Sequence, residues 1–216
     1  MDQMMPPGAS ASHFITSLDG SRHVRGPFNY WLLENALTDE LIDGIVSLPY
    51  EPPSDPLFVG KREANNSKRV YFNPENQARF PVAAEVAETF RSPYVVRRLE
   101  QLTGQSLAEG ALRIEYCQDV DGFWLEPHLD LGVKLFTMLI YLSGEPELYD
   151  AGTDIYDASP EHNRVGTAPY EKNKGLIFIP GHDTWHGFSK RPINGVRRSI
   201  IVNWVTSEWR ARHELA

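Results

Sequence analysis

The 216-residue sequence predicts an α+β fold in which helices of the first half pack on one face of a sheet built by the second half. Three observations point there. Up to about residue 104 apolar residues recur at helical spacing, whereas beyond it they come in short runs rich in β-branched and aromatic residues. Those runs are separated by Gly, Pro, Asn and Asp rather than by further helices, which favours a sandwich or barrel over a βαβ fold. No stretch of linker composition interrupts residues 38–205, so a single domain over residues 1–216 is expected.

Taken in order, residues 1–12 are rich in Pro, Ser, Ala and Met and read as a loose terminus. Thr38 can cap a helix whose stripe is Leu41, Ile42, Ile45 and Val46, ended by Pro49. A second helix is expected over 81–90, with Val82, Val86 and Phe90 four apart. Ser92 and Pro93 supply the N-cap and first position of a third; its stripe of Val95, Val96, Leu99 and Leu102 stops at Gly104. Residues 51–74, rich in Pro, Asn, Lys and Arg, read as a long loop between the first two helices. Strands are expected at 112–116, 135–142, 175–180 and 199–205. The acidic connection 144–174 is long enough to serve as a lid and leaves room for a short strand at 147–149.

Composition narrows the function classes. A net charge of −8 with no long Lys/Arg stripe argues against broad nucleic-acid binding. No apolar run approaches the roughly 20 residues that span a bilayer, and the first residues have neither the basic flank nor the apolar core of a signal peptide. A cytoplasmic protein without a membrane or nucleic-acid partner is expected. The single cysteine, Cys117, excludes an intrachain disulfide and a Cys-rich zinc site, and on a predicted strand it reads as a packed core residue. Phosphate-loop, dinucleotide-binding and nucleophile-elbow motifs are all missing.

The informative stretch is Glu126-Pro127-His128-Leu129-Asp130. Residues i and i+2 of an extended segment share a side, so His128 and Asp130 can converge on one ion. Such a pair is weak alone. Downstream, however, an apolar strand runs into Pro180-Gly181-His182-Asp183-Thr184-Trp185-His186-Gly187-Phe188, and then into Gly195-Val196-Arg197-Arg198-Ser199 before a β-run. Two imidazoles and one carboxylate on one side of an ion leave three positions open, the geometry favoured by non-haem Fe(II) oxygenases. An arginine on a neighbouring strand adds a permanently charged fork for a carboxylate ligand.

This order of motifs, over roughly residues 110–206, resembles the Fe(II)/2-oxoglutarate-dependent dioxygenases, within them the prolyl 4-hydroxylase-like branch. The resemblance implies a double-stranded β-helix (jelly roll) at 110–206, with residues 13–109 as mainly helical support. It implies that His128, Asp130 and His186 are the catalytic iron ligands, with His182 a rival for the third place. Gly187 and Phe188 favour His186, since the distal histidine of these enzymes is followed by a small and then an apolar residue.

Arg197 or Arg198 matches the basic residue that grips the far carboxylate of 2-oxoglutarate. Arg198 is preferred because Ile200, Val202 and Trp204 would then share its face as an apolar lining, and because the aromatic six residues on fits the pattern. An Arg-x-Ser pattern formed by Arg197 and Ser199 is the alternative. Tyr141 matches a tyrosine donating to the same carboxylate; Thr137 shares its strand face, and Tyr116 matches a tyrosine on the cosubstrate side. Trp124 could wall a substrate pocket or simply pack. Lys61, Arg62, Asn65, Asn66, Lys68 and Arg69 in the loop 54–74, and the connection 144–174, are candidate walls over the iron.

The activity implied is hydroxylation of an unidentified small molecule or peptide, using Fe(II), O2 and 2-oxoglutarate, with release of succinate and CO2 and with ascorbate as reductant. A cupin-like metal enzyme that does not use 2-oxoglutarate and a non-catalytic β-sandwich binding module remain open at this point.

Overall fold

The computed structural model describes residues 6–54, 59–61 and 68–216. Its helices are α1 (Ala9–Asp19), α2 (Asp39–Val46), α3 (Pro74–Arg79), α4 (Pro81–Arg91) and α5 (Pro93–Thr103). The strands are β1 (Arg22–Arg25), β2 (Asn29–Leu33), β3 (Val70–Tyr71), β4 (Ala111–Asp119), β5 (Leu125–His128), β6 (Lys134–Tyr141), β7 (Asp154–Tyr156), β8 (Arg164–Thr167), β9 (Gly175–Phe178), β10 (His186–Phe188) and β11 (Arg197–Val205). Antiparallel pairing joins them into a large sheet, β1-β2-β9-β6-β11-β4-β3, and a small one, β5-β10-β7-β8. This is the α+β jelly roll, with two sheets that face each other without closing.

The inner strands of the large sheet are covered on both faces and feed two cores. On the outer face Ile114, Met138, Ile140, Ile177, Ile200, Val202 and Trp204 pack against Phe14, Leu41, Ile45, Val86, Phe90 and Leu99 of the helices. On the inner face Leu139, Tyr141, Leu176 and Phe178 meet Ile155 and Phe188 of the small sheet. Register enforces this division: Ile200 lies opposite Tyr116 and Ile140, whereas Ser199 lies opposite Cys117 and Tyr141. Cys117 is buried, as its strand position implies.

The expected helices form where their stripes and caps place them. The Thr38 hydroxyl accepts from Leu41 N, and Gly104 takes the left-handed conformation (φ 75°) that ends α5 without a Cβ penalty. Several elements differ from expectation. Residues 9–12 open helix α1 instead of a loose terminus, because Ala11, Phe14 and Leu18 form an i, i+3, i+7 stripe buried against Phe90 and its neighbours. Strands β1 and β2 precede the first expected helix; Trp31 and Leu33 alternate with Tyr30 and Leu32 between the two cores. The stretch at 147–149 is part of a 3-10 turn (Pro146–Leu148), not a strand. The connection 144–174 instead contributes β7 and β8 to the small sheet. Of the loop 51–74, residues 70–71 form β3 and pair with β4, while Arg62, Asn65 and Asn66 lie outside the described residues.

Candidate metal centre

Strand pairing brings the two histidines together. His128 ends β5 and His186 begins β10, and they are directly opposite in register, with ring centroids 4.4 Å apart. Each Nδ1 lies 2.9 Å from a backbone carbonyl two residues earlier, that of Glu126 for His128 and Thr184 for His186. A carbonyl can only accept, so Nδ1 carries the proton and Nε2 the lone pair, the tautomer a metal needs. His182 sits in the preceding turn, outside the cluster.

Asp130 joins them from the crossing between the sheets. After β5 the chain turns through residues 129–133, and Lys134 N donates to Leu131 O as β6 begins. Two side chains of the large sheet hold the carboxylate: Lys134 Nζ on Oδ1, and Thr137 Oγ1 on Oδ2 at 2.6 Å. The Thr137 hydroxyl is fixed in turn, since Asn203 Nδ2 donates to it (2.9 Å) and Arg113 Nη1 donates to Asn203 Oδ1 (3.3 Å). One ligand atom from each of His128, Asp130 and His186 lies within 4.8 Å of the other two. Two neutral imidazoles and one carboxylate on one side of a point fit a divalent transition metal with open positions.

Electrostatics favour that protonation pattern. Burial pushes the Asp130 carboxyl up, but Lys134, His186 and the hydrogen bonds from Lys134 and Thr137 outweigh it and hold it well below the usual range. Burial, reinforced by repulsion from His128, pushes His186 down to about 4, so it is neutral at pH 7.

A cavity leads inward from the cluster between the sheets. Thr137, Leu139 and Ile201 of the large sheet and Phe188 of the small one are in its lining, as are Thr153, Asp119, Arg69 and Arg197. Arg197 is 5% exposed; its Nε donates to Ala151 O (2.6 Å) and its Nη1 to Asp119 Oδ2 (2.8 Å). The rings of Phe188, Tyr141 and Tyr170 surround it at 5.1, 5.6 and 5.9 Å.

The expected placement of Arg198 is therefore corrected. Arg198 shares the outer face of β11 with Ile200, Val202 and Trp204, the face covered by helices, and Arg197 is the arginine that faces the cavity. Tyr116 is likewise on the outer face, beside Arg198, and does not reach the cavity. Tyr141 does lie on the inner face, but its hydroxyl is committed to Thr153, donating to Oγ1 (2.9 Å) and accepting from N (3.0 Å). It braces a cavity residue, Thr153, which sequence reading passed over. Trp124 packs over Gly60, where a Cβ would come within 2.3 Å of the ring, beneath the Lys190 ammonium. Of the loop residues named as walls, Arg69 lines the cavity, and Lys61 lines a second hollow beside the cluster with Leu129, Leu131 and Trp209.

No family description and no curated protein matches this chain in sequence. Solved structures match its fold. A prolyl-4-hydroxylase from Pseudomonas putida is 12% identical at a TM-score of 0.55, over 95% of this chain and 99% of that one. A prolyl 4-hydroxylase from Phytophthora capsici is 11% identical at a TM-score of 0.60, over 98% and 70%. A 2OG-Fe(II) oxygenase family oxidoreductase from Burkholderia pseudomallei is 14% identical at a TM-score of 0.52, over 98% and 95%. The fold of this chain is that of the prolyl 4-hydroxylase-like branch of the Fe(II)/2-oxoglutarate oxygenases.

Proposed function

We propose that the protein is an Fe(II)- and 2-oxoglutarate-dependent dioxygenase that hydroxylates its substrate and releases succinate and CO2. One observation carries the reading: His128, Asp130 and His186 converge in the lining of a cavity that Arg197 also lines. When bound, the iron and the 2-oxo acid supply O2 activation and the oxidising equivalents. His128 and His186 hold the metal through Nε2 and Asp130 through a carboxylate oxygen. Arg197 takes the far carboxylate of 2-oxoglutarate, its fork kept planar and aimed by Ala151 O, Asp119 and the three rings. Leu139 and Ile201 offer apolar walls to the methylenes between. The hollow beside the cluster, lined by Lys61, Leu129, Leu131 and Trp209, is the entry for the substrate. Ascorbate as reductant and a cytoplasmic setting belong to the same reading; no helix among the described residues is long and apolar enough to cross a membrane.

The test is direct. Supplied with Fe(II), ascorbate and 2-oxoglutarate, the protein should release succinate, faster when its substrate is present in a panel of peptides, amino acids and metabolites. Asp130→Ala should abolish this. If anaerobic addition of 2-oxoglutarate to the Fe(II) protein leaves the visible spectrum unchanged and no succinate forms, the reading fails.

A further inference from the structure

A second guanidinium stands in the cavity. The side chain of Arg69, the residue before β3, is 4% exposed, and its Nη1 donates to Asp119 Oδ1 at 2.6 Å. The other oxygen of Asp119 accepts from Arg197. Two cations thus share one anion that is 2% exposed. Arg69 Nε is buried with no hydrogen-bond partner, and the ring of Phe123, 5.6 Å from the guanidinium, cannot accept in its place as a carboxylate would. Glu115, a neighbouring buried carboxylate, adds its charge to the surroundings of Arg69 but spends its hydrogen bonds on Arg113, so Arg69 Nε stays unmet. A buried cation with unmet donors is costly unless an anion completes it.

We propose that Arg69 and Arg197, which both line the cavity, together form the receptor for the far carboxylate, with Asp119 holding the two forks in place and the unmet Nε of Arg69 left for the ligand. Arg69 is thereby a specificity-determining residue for the cosubstrate. This rests on the reading of the cavity as the 2-oxoglutarate site.

The experiment compares two 2-oxo acids of equal length, 2-oxoglutarate and 2-oxovalerate, the second having a methyl in place of the far carboxylate. Their binding to the full chain loaded with Mn(II) is followed by calorimetry. Arg69→Gln should weaken 2-oxoglutarate about tenfold, the loss of one charge-assisted hydrogen bond. It should leave 2-oxovalerate and Mn(II) binding unchanged. Equal weakening of both acids would mark Arg69 as merely structural and overturn the proposal, as would no weakening of either. If Arg69→Gln does not fold, Arg69→Lys carries the same comparison: a loss confined to the dicarboxylate supports the proposal, and an equal loss overturns it. Wild-type protein that binds neither acid would instead defeat the cosubstrate reading itself, an outcome recognised without any Arg69 variant.

Discussion

Arg197 and Arg198 are neighbours in the chain, yet they serve opposite faces of β11. Arg197 lies opposite Asp119 in register and faces the cavity lined by His128, Asp130 and His186, whereas Arg198 lies opposite Gln118 on the face that meets the helices. Arg197→Gln should therefore raise the apparent KM for 2-oxoglutarate by one to two orders of magnitude, roughly the 1.5–3 kcal/mol of a charged hydrogen bond. Arg198→Gln should leave that constant within about twofold. Steady-state kinetics with 2-oxoglutarate varied would decide, and the opposite pattern would move the anchor to Arg198.

The same pair shows what the sequence made legible. The His128, Asp130 and His186 cluster was readable because these residues and Gly187 stand in a distinctive order, and because strand pairing alone brings the two histidines face to face. The arginine register was not. An apolar lining by itself points to the interior, but this sheet has two covered faces. The more apolar one, with Ile200, Val202 and Trp204, packs on the helices, while Ser199, Asn203 and Thr137 face the site. In a strand buried on both sides, the face with polar residues is the one with a ligand to bind. Helix α1 was obscured for another reason: its stripe of Ala11, Phe14 and Leu18 is set among Ser and Thr, whose composition resembles a tail.

Thr137 should matter to metal affinity although it touches no metal. Its hydroxyl accepts from Asn203 and so must give its proton to Asp130 Oδ2, which sets the orientation of the carboxylate. Thr137→Val keeps the shape and removes the bond. Loss of such an orienting partner typically costs 10–100-fold in affinity, and titration with Mn(II) or Fe(II) should show a drop of about tenfold. An unchanged affinity would mean that Lys134 alone suffices to hold Asp130.

His186 should give the metal-free protein a distinct acid sensitivity. Its ordinary value of 6.5 falls to about 4 in the fold, so between these values the unfolded chain binds a proton that the folded one refuses. Stability contributed by the neutral imidazole is thus whole above pH 6.5 and is lost progressively toward pH 4, by roughly 2–3 kcal/mol. Asp130 acts in the other range: its value is depressed, so its contribution persists above the ordinary carboxylate value and disappears only in stronger acid. Melting temperature followed from pH 7 to pH 4 should fall more steeply in wild type than in His186→Asn. Parallel profiles would show that the fold does not lower the pKa of the imidazole.

Gly187 fixes the spacing on which the metal centre depends. It follows His186 on β10, directly against β5, and a Cβ there would lie 2.9 Å from the backbone oxygens of both Glu126 and Leu125. Those are main-chain atoms of the strand that ends in His128, so no side-chain rotation can relieve the contact; the strands must separate. Gly187→Ala should therefore lower stability by about 1–3 kcal/mol, the usual penalty of overpacking, and the melting temperature by at least a few degrees. Because the two imidazoles are carried on the separating strands, metal affinity should fall further than stability does. The Asp130 anchor, held by Thr137 and Lys134 of the large sheet, should be unaffected. A variant with normal Mn(II) binding and a lowered melting temperature would show that the strands yield without moving the histidines, and that the glycine serves packing alone.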